Sequence, residues 1–181
     1  MAVQQAVESK VYRAKVCLVG EFAVGKTSLV NRYVRNVFHD RYFATIGAKI
    51  TKAEVTQGGE DSSQLIMTIW DIMGEKGFRE LLKEAYFDGA NGALAVCDLT
   101  RSDTLDETEA WISAIFRIAG RIPIVIVGNK TDLEDRIKIH EDDIAAFAKR
   151  HSCPYVITSA KSGENVQAAF KAISKLIAKG S

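Results

Sequence analysis

Gly20, Glu21, Phe22, Ala23, Val24, Gly25, Lys26 and Thr27 have the spacing GxxxxGK[ST] and stand between an apolar run and a stretch of helical period. Small residues in such a turn let successive backbone N–H groups converge on one concavity, and the helix that follows opens with its positive dipole end there. That field suits the oxygens of a polyphosphate. Lys26 reaches the outer phosphates as a point charge, and the Thr27 hydroxyl can join the coordination shell of a magnesium ion. A bare Gly-rich turn carrying a surface lysine is the plainer alternative, and the strand and helix on either side weigh against it. A second loop selects the base. Asn129, Lys130 and Asp132, in VGNKTDL, follow a buried strand-like run, where ligand loops gather in open α/β sheets. A carboxylate there accepts from both N1–H and the 2-amino group of guanine, whereas adenine offers neither donor and would leave it unsatisfied.

These loops need a sheet to hold them. The runs at 15–20, 92–99 and 122–129 are nearly continuous in apolar residues, as expected of strands covered on both faces. Between them, 104–120 puts Leu105, Trp111, Ile112, Ile115 and Ile118 largely on one helical face, with Gly120 as a stop. Residues 141–151 open with three acids and close with Lys149 and Arg150, matching the helix dipole at both ends, and 165–180 carries a single apolar stripe. Residues 48–70 read as two antiparallel strands joined around Gly58-Gly59-Glu60-Asp61 at one side of the sheet. The alternation predicts an α/β fold.

Composition narrows the function classes. The 181 residues carry 24 Lys+Arg against 23 Asp+Glu, a net charge of +1, which gives no whole-chain attraction to nucleic acid or anionic lipid. Cys17, Cys97 and Cys153 are odd in number and dispersed, which suits reduced thiols, and His39, His140 and His151 lack paired ligand spacing. No apolar run is long enough to span a bilayer and no secretory signal pattern stands at the start, so the expected address is cytoplasmic. The ending LIAKGS lacks a prenylation cysteine and Met1-Ala2 does not fit myristoylation, so no covalent membrane anchor is expected in this chain; peripheral association through partners is compatible with that.

With both loops on the page, the chain resembles the small GTPases of the Ras superfamily over nearly its whole length, closest in texture to the Rab and Ras branches. Thr45 in TIG matches the switch I threonine, Asp71 and Gly74 in WDIMG match the DxxG box of switch II, and Ser159-Ala160-Lys161 matches the SAK loop. The resemblance implies a P-loop NTPase fold, with a mixed six-stranded sheet holding one antiparallel strand and flanked by five helices. It makes residues 13–181 the G domain and 1–12 an extension. It also implies GTP and GDP as bound nucleotides with Mg2+, held by Gly20 through Ser28 and by Phe38, Thr45, Gly74, Asn129, Lys130, Asp132, Ser159, Ala160 and Lys161. Thr27 and Thr45 would ligate the metal and Asp71 would hold it through water. The Gly74 N–H would sense the γ-phosphate, and Ser28 would approach the α-phosphate. Phe38 and the Lys130 stem would cover the guanine, and the Ala160 N–H would donate to its O6. The catalytic set would be Lys26, Thr45, Gly74 and Glu75. With the γ-phosphate present, both switch loops are tied to it; hydrolysis releases them, and protein effectors and regulators read the difference.

Departures from the family pattern bear on that last step. The family writes DTAGQE where this chain has DIMGEK, so Glu75 replaces the glutamine that orients the attacking water. A carboxylate accepts a proton but donates none, and its charge faces developing negative charge. Glu75 is either a modified catalytic group or a solvated loop acid. Phe22 and Ala23 replace residues that are often smaller in the family; Phe22 would obstruct an external arginine or simply shield the site. Arg41 reads as a solvated loop arginine, with an internal arginine finger as the alternative. Trp70 and TIG match the Rab branch, but Ile50 and Ala85 replace its aromatic effector positions. The expected function is therefore a GTP-hydrolysing molecular switch. The alternative, suggested by Glu75, Met73 and Phe22, is a nucleotide-binding interaction module with very low hydrolysis, and an ATP-using P-loop kinase is disfavoured by the NKTD loop.

Overall fold

The computed structural model describes residues 11–41, 44–57, 63–75 and 84–180. In chain order these form β1 (Val11–Val19), α1 (Lys26–Arg35), β2 (Ala48–Gln57), β3 (Ser63–Ile72), α2 (described over 84–87), β4 (Gly92–Asp98), α3 (Asp103–Ala119), β5 (Ile124–Asn129), a 3₁₀ turn (Glu134–Arg136), α4 (Glu141–Arg150), β6 (Tyr155–Thr158) and α5 (Val166–Lys179). The strands make one six-stranded sheet in the order β2-β3-β1-β4-β5-β6. Only β2 runs antiparallel, paired with β3 from Ala48↔Ile72 to Gln57↔Ser63. This is the mixed α/β architecture expected from the sequence, with the hairpin at the sheet edge; the turn residues Gly58 to Asp61 lie outside the described residues.

Alternation along the central strands divides the core into two layers. Val16 and Leu18 of β1, with Leu94 and Val96 of β4, face α1 and α5, where Leu29, Val30, Phe170 and Ile173 are buried. Cys17 and Val19, with Ala93, Ala95 and Cys97, face α3 and α4, where Trp111, Ile112, Ile115, Ile144 and Phe147 close the other side. Because both faces are covered, every residue of β4 and β5 is buried, which is why these strands read as unbroken apolar runs. Cys17, Cys97 and Cys153 are free thiols, and burial pushes the first two up to about 12.

β1 differs from its sequence reading. It starts at Val11, two residues inside the segment expected as an extension, and pairs with β3 from Val11↔Gln64 onward. Its first three residues are exposed, so ladder hydrogen bonds rather than burial hold them, and no apolar run marks them in the sequence.

β1 sits between β3 and β4, with α1 leaving one face and α3 the other. The carboxyl ends of β1, β3, β4, β5 and β6 therefore deliver the loops at 20–25, 73–75, 99–102, 130–133 and 159–165 to one end of the sheet, the switch point where such folds open a crevice.

Candidate functional site

A cleft of about 350 Å³ opens at that end, lined by Phe22, Ala23, Gly25, Lys26, Thr27 and Ser28 from the first loop and α1. Phe38, Arg41, Thr45, Gly74 and Glu75 line its mouth, and Asn129, Lys130, Asp132, Ala160 and Lys161 line its far side. Gly20, Glu21, Val24, Asp71 and Ser159 stand behind this lining. Residues separated by more than a hundred positions in the chain thus share one cavity.

The first loop takes its shape from two glycines. Gly20 has φ +137, and a Cβ there would lie 2.1 Å from the Val96 carbonyl oxygen; Gly25, at φ +102, would put one 2.3 Å from Asn129 Nδ2. Neither position accepts a side chain. Ala23, at φ +60, occupies the left-handed region without being glycine. No side chain caps the N-terminus of α1 and no acid stands in its first turn, so the helix presents its positive end to the cleft.

Lys26 is 6% exposed, and its ammonium donates to the Gly20 carbonyl at 2.7 Å and the Glu21 carbonyl at 2.9 Å. Burial lowers its pKa from 10.5 to about 8 against the opposing pull of Asp71 and Glu21, and the Arg101 charge lowers it further. Two of its three protons are satisfied by the loop it belongs to, so the loop holds the cation in place for an anion in the cleft.

The residues expected at a metal converge. Thr27 Oγ1 donates to Asp71 Oδ2 at 2.5 Å and lies 2.9 Å from Thr45 Oγ1. Asp71 Oδ1 is buried with no hydrogen-bond partner among the described residues. Burial raises the Asp71 pKa, although Thr27 and Lys26 pull it down. Two hydroxyls beside a buried carboxylate with an unsatisfied oxygen form a set of hard ligands that fits Mg2+.

On the far side, Asn129 works as a strut. Its Nδ2 donates to the Val24 carbonyl at 2.9 Å, and its Oδ1 accepts from the Ala160 N–H and Thr158 Oγ1, each at 3.1 Å. One side chain therefore ties the first loop to both loops of the far side. The Ala160 N–H, expected to face a base, is directed onto Asn129 here. Asp132 lines the cleft with one carboxylate oxygen held by Ser159 Oγ at 2.6 Å, and Ser159 in turn accepts from the Ser162 N–H at 3.0 Å. Lys130, with φ +76, places its ammonium 2.7 Å from Asp98 Oδ2. Gly74 packs so closely that a Cβ would stand 2.6 Å from both Glu21 C and Phe22 N. Glu75 and Arg41 are exposed at the mouth, and Phe38 is partly buried against the core.

Sequence reasoning missed two supports. Asp98 ends β4 and accepts from the Thr100 N–H and hydroxyl as well as from Lys130; burial pulls its pKa up, but these bonds outweigh it and hold the carboxyl below the usual range. An acid closing a fully apolar strand was the available signal. Arg32, on α1, donates through Nε to the Ala160 carbonyl at 2.9 Å and through a second nitrogen to the Lys161 carbonyl, clamping the 159–161 loop. Nothing in its helical context marked it.

The Ras family model matches residues 15–179 of this chain. The chain belongs to the Ras family. Within that family it is similar to the Ras-related protein Rab-21 of Geodia cydonium, with 34% identity over 166 residues, 91% of this chain and 71% of the relative. It is thus a Rab-like member of the small GTPases, and the six-stranded sheet with its five helices is the family's P-loop fold. Among the described residues of this Ras-family chain, no helix is long and apolar enough to cross a membrane.

Proposed function

We propose that this Ras-family protein binds GTP and GDP with Mg2+, hydrolyses GTP, and signals the difference through its switch loops. The observation that carries the reading is the meeting of the Lys26 ammonium, the Thr27–Thr45–Asp71 cluster and the Asp132 carboxylate in one cleft. The N–H groups of the phosphate loop and the start of α1 would receive the phosphate chain, with Ser28 nearest the α-phosphate and Lys26 toward the β and γ groups. Thr27, Thr45 and Asp71 would hold Mg2+, which when bound neutralises phosphate charge. Asp132, with one oxygen fixed by Ser159, would present the other to guanine N1–H and the 2-amino group. Phe38 and the Lys130 stem would cover the base, and the loop of Ser159, Ala160 and Lys161 would face its O6 edge.

In hydrolysis, the chain's contribution is positioning and electrostatics. Lys26 and the loop amides stabilise charge on the phosphoryl oxygens. The Gly74 N–H, on the loop that abuts the Glu21–Phe22 peptide, would follow the γ-phosphate. Glu75 at the mouth can accept a proton from water but cannot donate to a phosphoryl oxygen, so turnover without a partner is expected to be slow. The second reading, a nucleotide-binding module with minimal hydrolysis, is favoured by that carboxylate and by Phe22, 41% exposed beside it. Effectors and regulators would read the switch face, where Ile46 is 86% and Ile50 54% exposed. A cytoplasmic protein reaching membranes through such partners suits the near-neutral charge; nucleic acid does not.

Competition by GTP, GDP and ATP against a fluorescent guanine nucleotide tests the binding step. Displacement by ATP as effective as by GTP would sink the base assignment. Single-turnover phosphate release with and without Mg2+ then separates the switch from the non-hydrolysing module.

A further inference from the structure

We propose that Arg101 is a positioning residue of the phosphate site, bridging the crown of the phosphate loop to Asp98 and thereby aiming the Ala23 N–H into the cleft. The proposal rests on the guanine-nucleotide reading above. Arg101 follows β4 at the entrance to α3 and does not line the cleft itself. Its Nε meets Asp98 Oδ2 at 3.2 Å, and its Nη2 donates to the Phe22 carbonyl at 2.6 Å. The guanidinium is a planar fork, so two partners on adjacent donors are held at a fixed separation. Asp98 makes a firm anchor. Its side chain is 2% exposed, Thr100 occupies Oδ1 through two bonds of 2.9 and 2.7 Å, and Oδ2 is shared by Arg101 and Lys130.

The geometry of the peptide unit gives this bridge its consequence. In a trans peptide the C=O and the following N–H point in opposite directions, and no cis bond occurs among the described residues. With the Phe22 carbonyl drawn outward by Arg101, the Ala23 N–H is turned to the other side, the side on which Ala23 lines the cleft. Ala23 holds φ +60, a conformation a non-glycine residue adopts only when its surroundings impose it. The Arg101 bond is one such constraint, and Gly74 pressing on the amide side of Phe22 is another. On the guanine-nucleotide reading, an N–H at this point of the loop would serve the phosphates beyond the α position, so Arg101 would matter to nucleotides that carry a β-phosphate and little to those that end at the α-phosphate.

The test compares wild type with Arg101→Ala and Arg101→Gln, using release of fluorescent GDP and competition by unlabelled GDP and GMP. Both variants are expected to release GDP about tenfold faster, the equivalent of one charge-assisted hydrogen bond, with GMP affinity within about twofold of wild type. A general loosening of the fold would weaken GDP and GMP together, and that outcome overturns the proposal. So does a GDP release rate unchanged in Arg101→Gln, or a melting temperature in both variants too low for the assay. Failure of the wild type itself to bind GDP would instead refute the guanine-nucleotide reading, taking this proposal with it, and is seen before any variant is compared.

Discussion

The two halves of the cleft are built differently. The base side stands on a buried, densely hydrogen-bonded frame, with Asp132 and Lys161 exposed at its lip: Asn129 joins three loops, Ser159 fixes Asp132, and Arg32 clamps the carbonyls of Ala160 and Lys161. The switch side reaches the phosphate loop by lighter means. Thr45 meets Thr27 through one hydroxyl contact, Gly74 leans on the Glu21–Phe22 peptide, and Glu75 stands exposed. The proposed function, recognition of one base followed by a report on one phosphate, needs this asymmetry. Recognition is sharpened by pre-organised polar groups, whereas a signal requires contacts weak enough for the ligand to decide.

Removing the strut should have the largest effect. Asn129→Ala leaves the Val24 carbonyl and the Ala160 N–H buried without their partner, and is expected to cost about 3 to 5 kcal/mol of stability. Thermal or urea unfolding of the nucleotide-free protein measures it; a loss under about 1 kcal/mol would mean that the base side is not as tightly braced as its bonds imply.

Lys26 provides a pH test of the rigid cradle. Its folded pKa is depressed from 10.5 to about 8, chiefly by burial. Below about 8 the lysine is charged in both states, and the buried charge costs stability. Between about 8 and 10.5 the unfolded chain binds the extra proton, so stability rises with pH, by about 3 kcal/mol in all. The thiols of Cys17 and Cys97, raised to about 12 by burial, act in the opposite direction above pH 9. The informative quantity is therefore the difference between wild type and Lys26→Met. Parallel stability curves for the two over that window would contradict the buried charge.

Asp132→Asn comes next. Replacing a carboxylate that, on the proposed function, would accept from two guanine donors should reduce the preference for GTP over ATP by about a hundredfold, read from competition binding, while leaving the melting temperature close to wild type. The smallest change is expected at the open mouth. Glu75→Gln restores a side chain able to donate, and should speed single-turnover hydrolysis about tenfold without altering GDP affinity. Equal rates would remove Glu75 from the chemistry and make it a solvated acid.

Much of this was legible in the residues. The spacing from Gly20 to Thr27 names a phosphate cradle because glycine at fixed offsets is a backbone requirement, and Gly20 and Gly25 indeed have backbone angles and neighbours that exclude a side chain. The buried strands were legible because covering both faces removes polar alternation, and the helices at 104–120, 141–151 and 165–180 fell within a residue or so of α3, α4 and α5. Arg32 and Arg101 were not, since an arginine on a helix or in a loop has no local signature until its partner from another segment is known, and Asp98 offered only the sign of an acid closing an apolar strand, with nothing to name the partners it holds. The direction of the Ala160 N–H, onto Asn129 rather than into the cleft, was hidden for the same reason.

By itself the sequence determined which groups this protein could bring to a ligand, because glycine placement, apolar periodicity and side-chain chemistry are properties of short stretches. Only the tertiary structure decided how those groups are held, since the bonds from Asn129 to Val24, from Ser159 to Asp132 and from Arg101 to Phe22 span 105, 27 and 79 positions. Hydrogen bonds are short-ranged and directional, so such pairs form only after the sheet has brought its strand ends together.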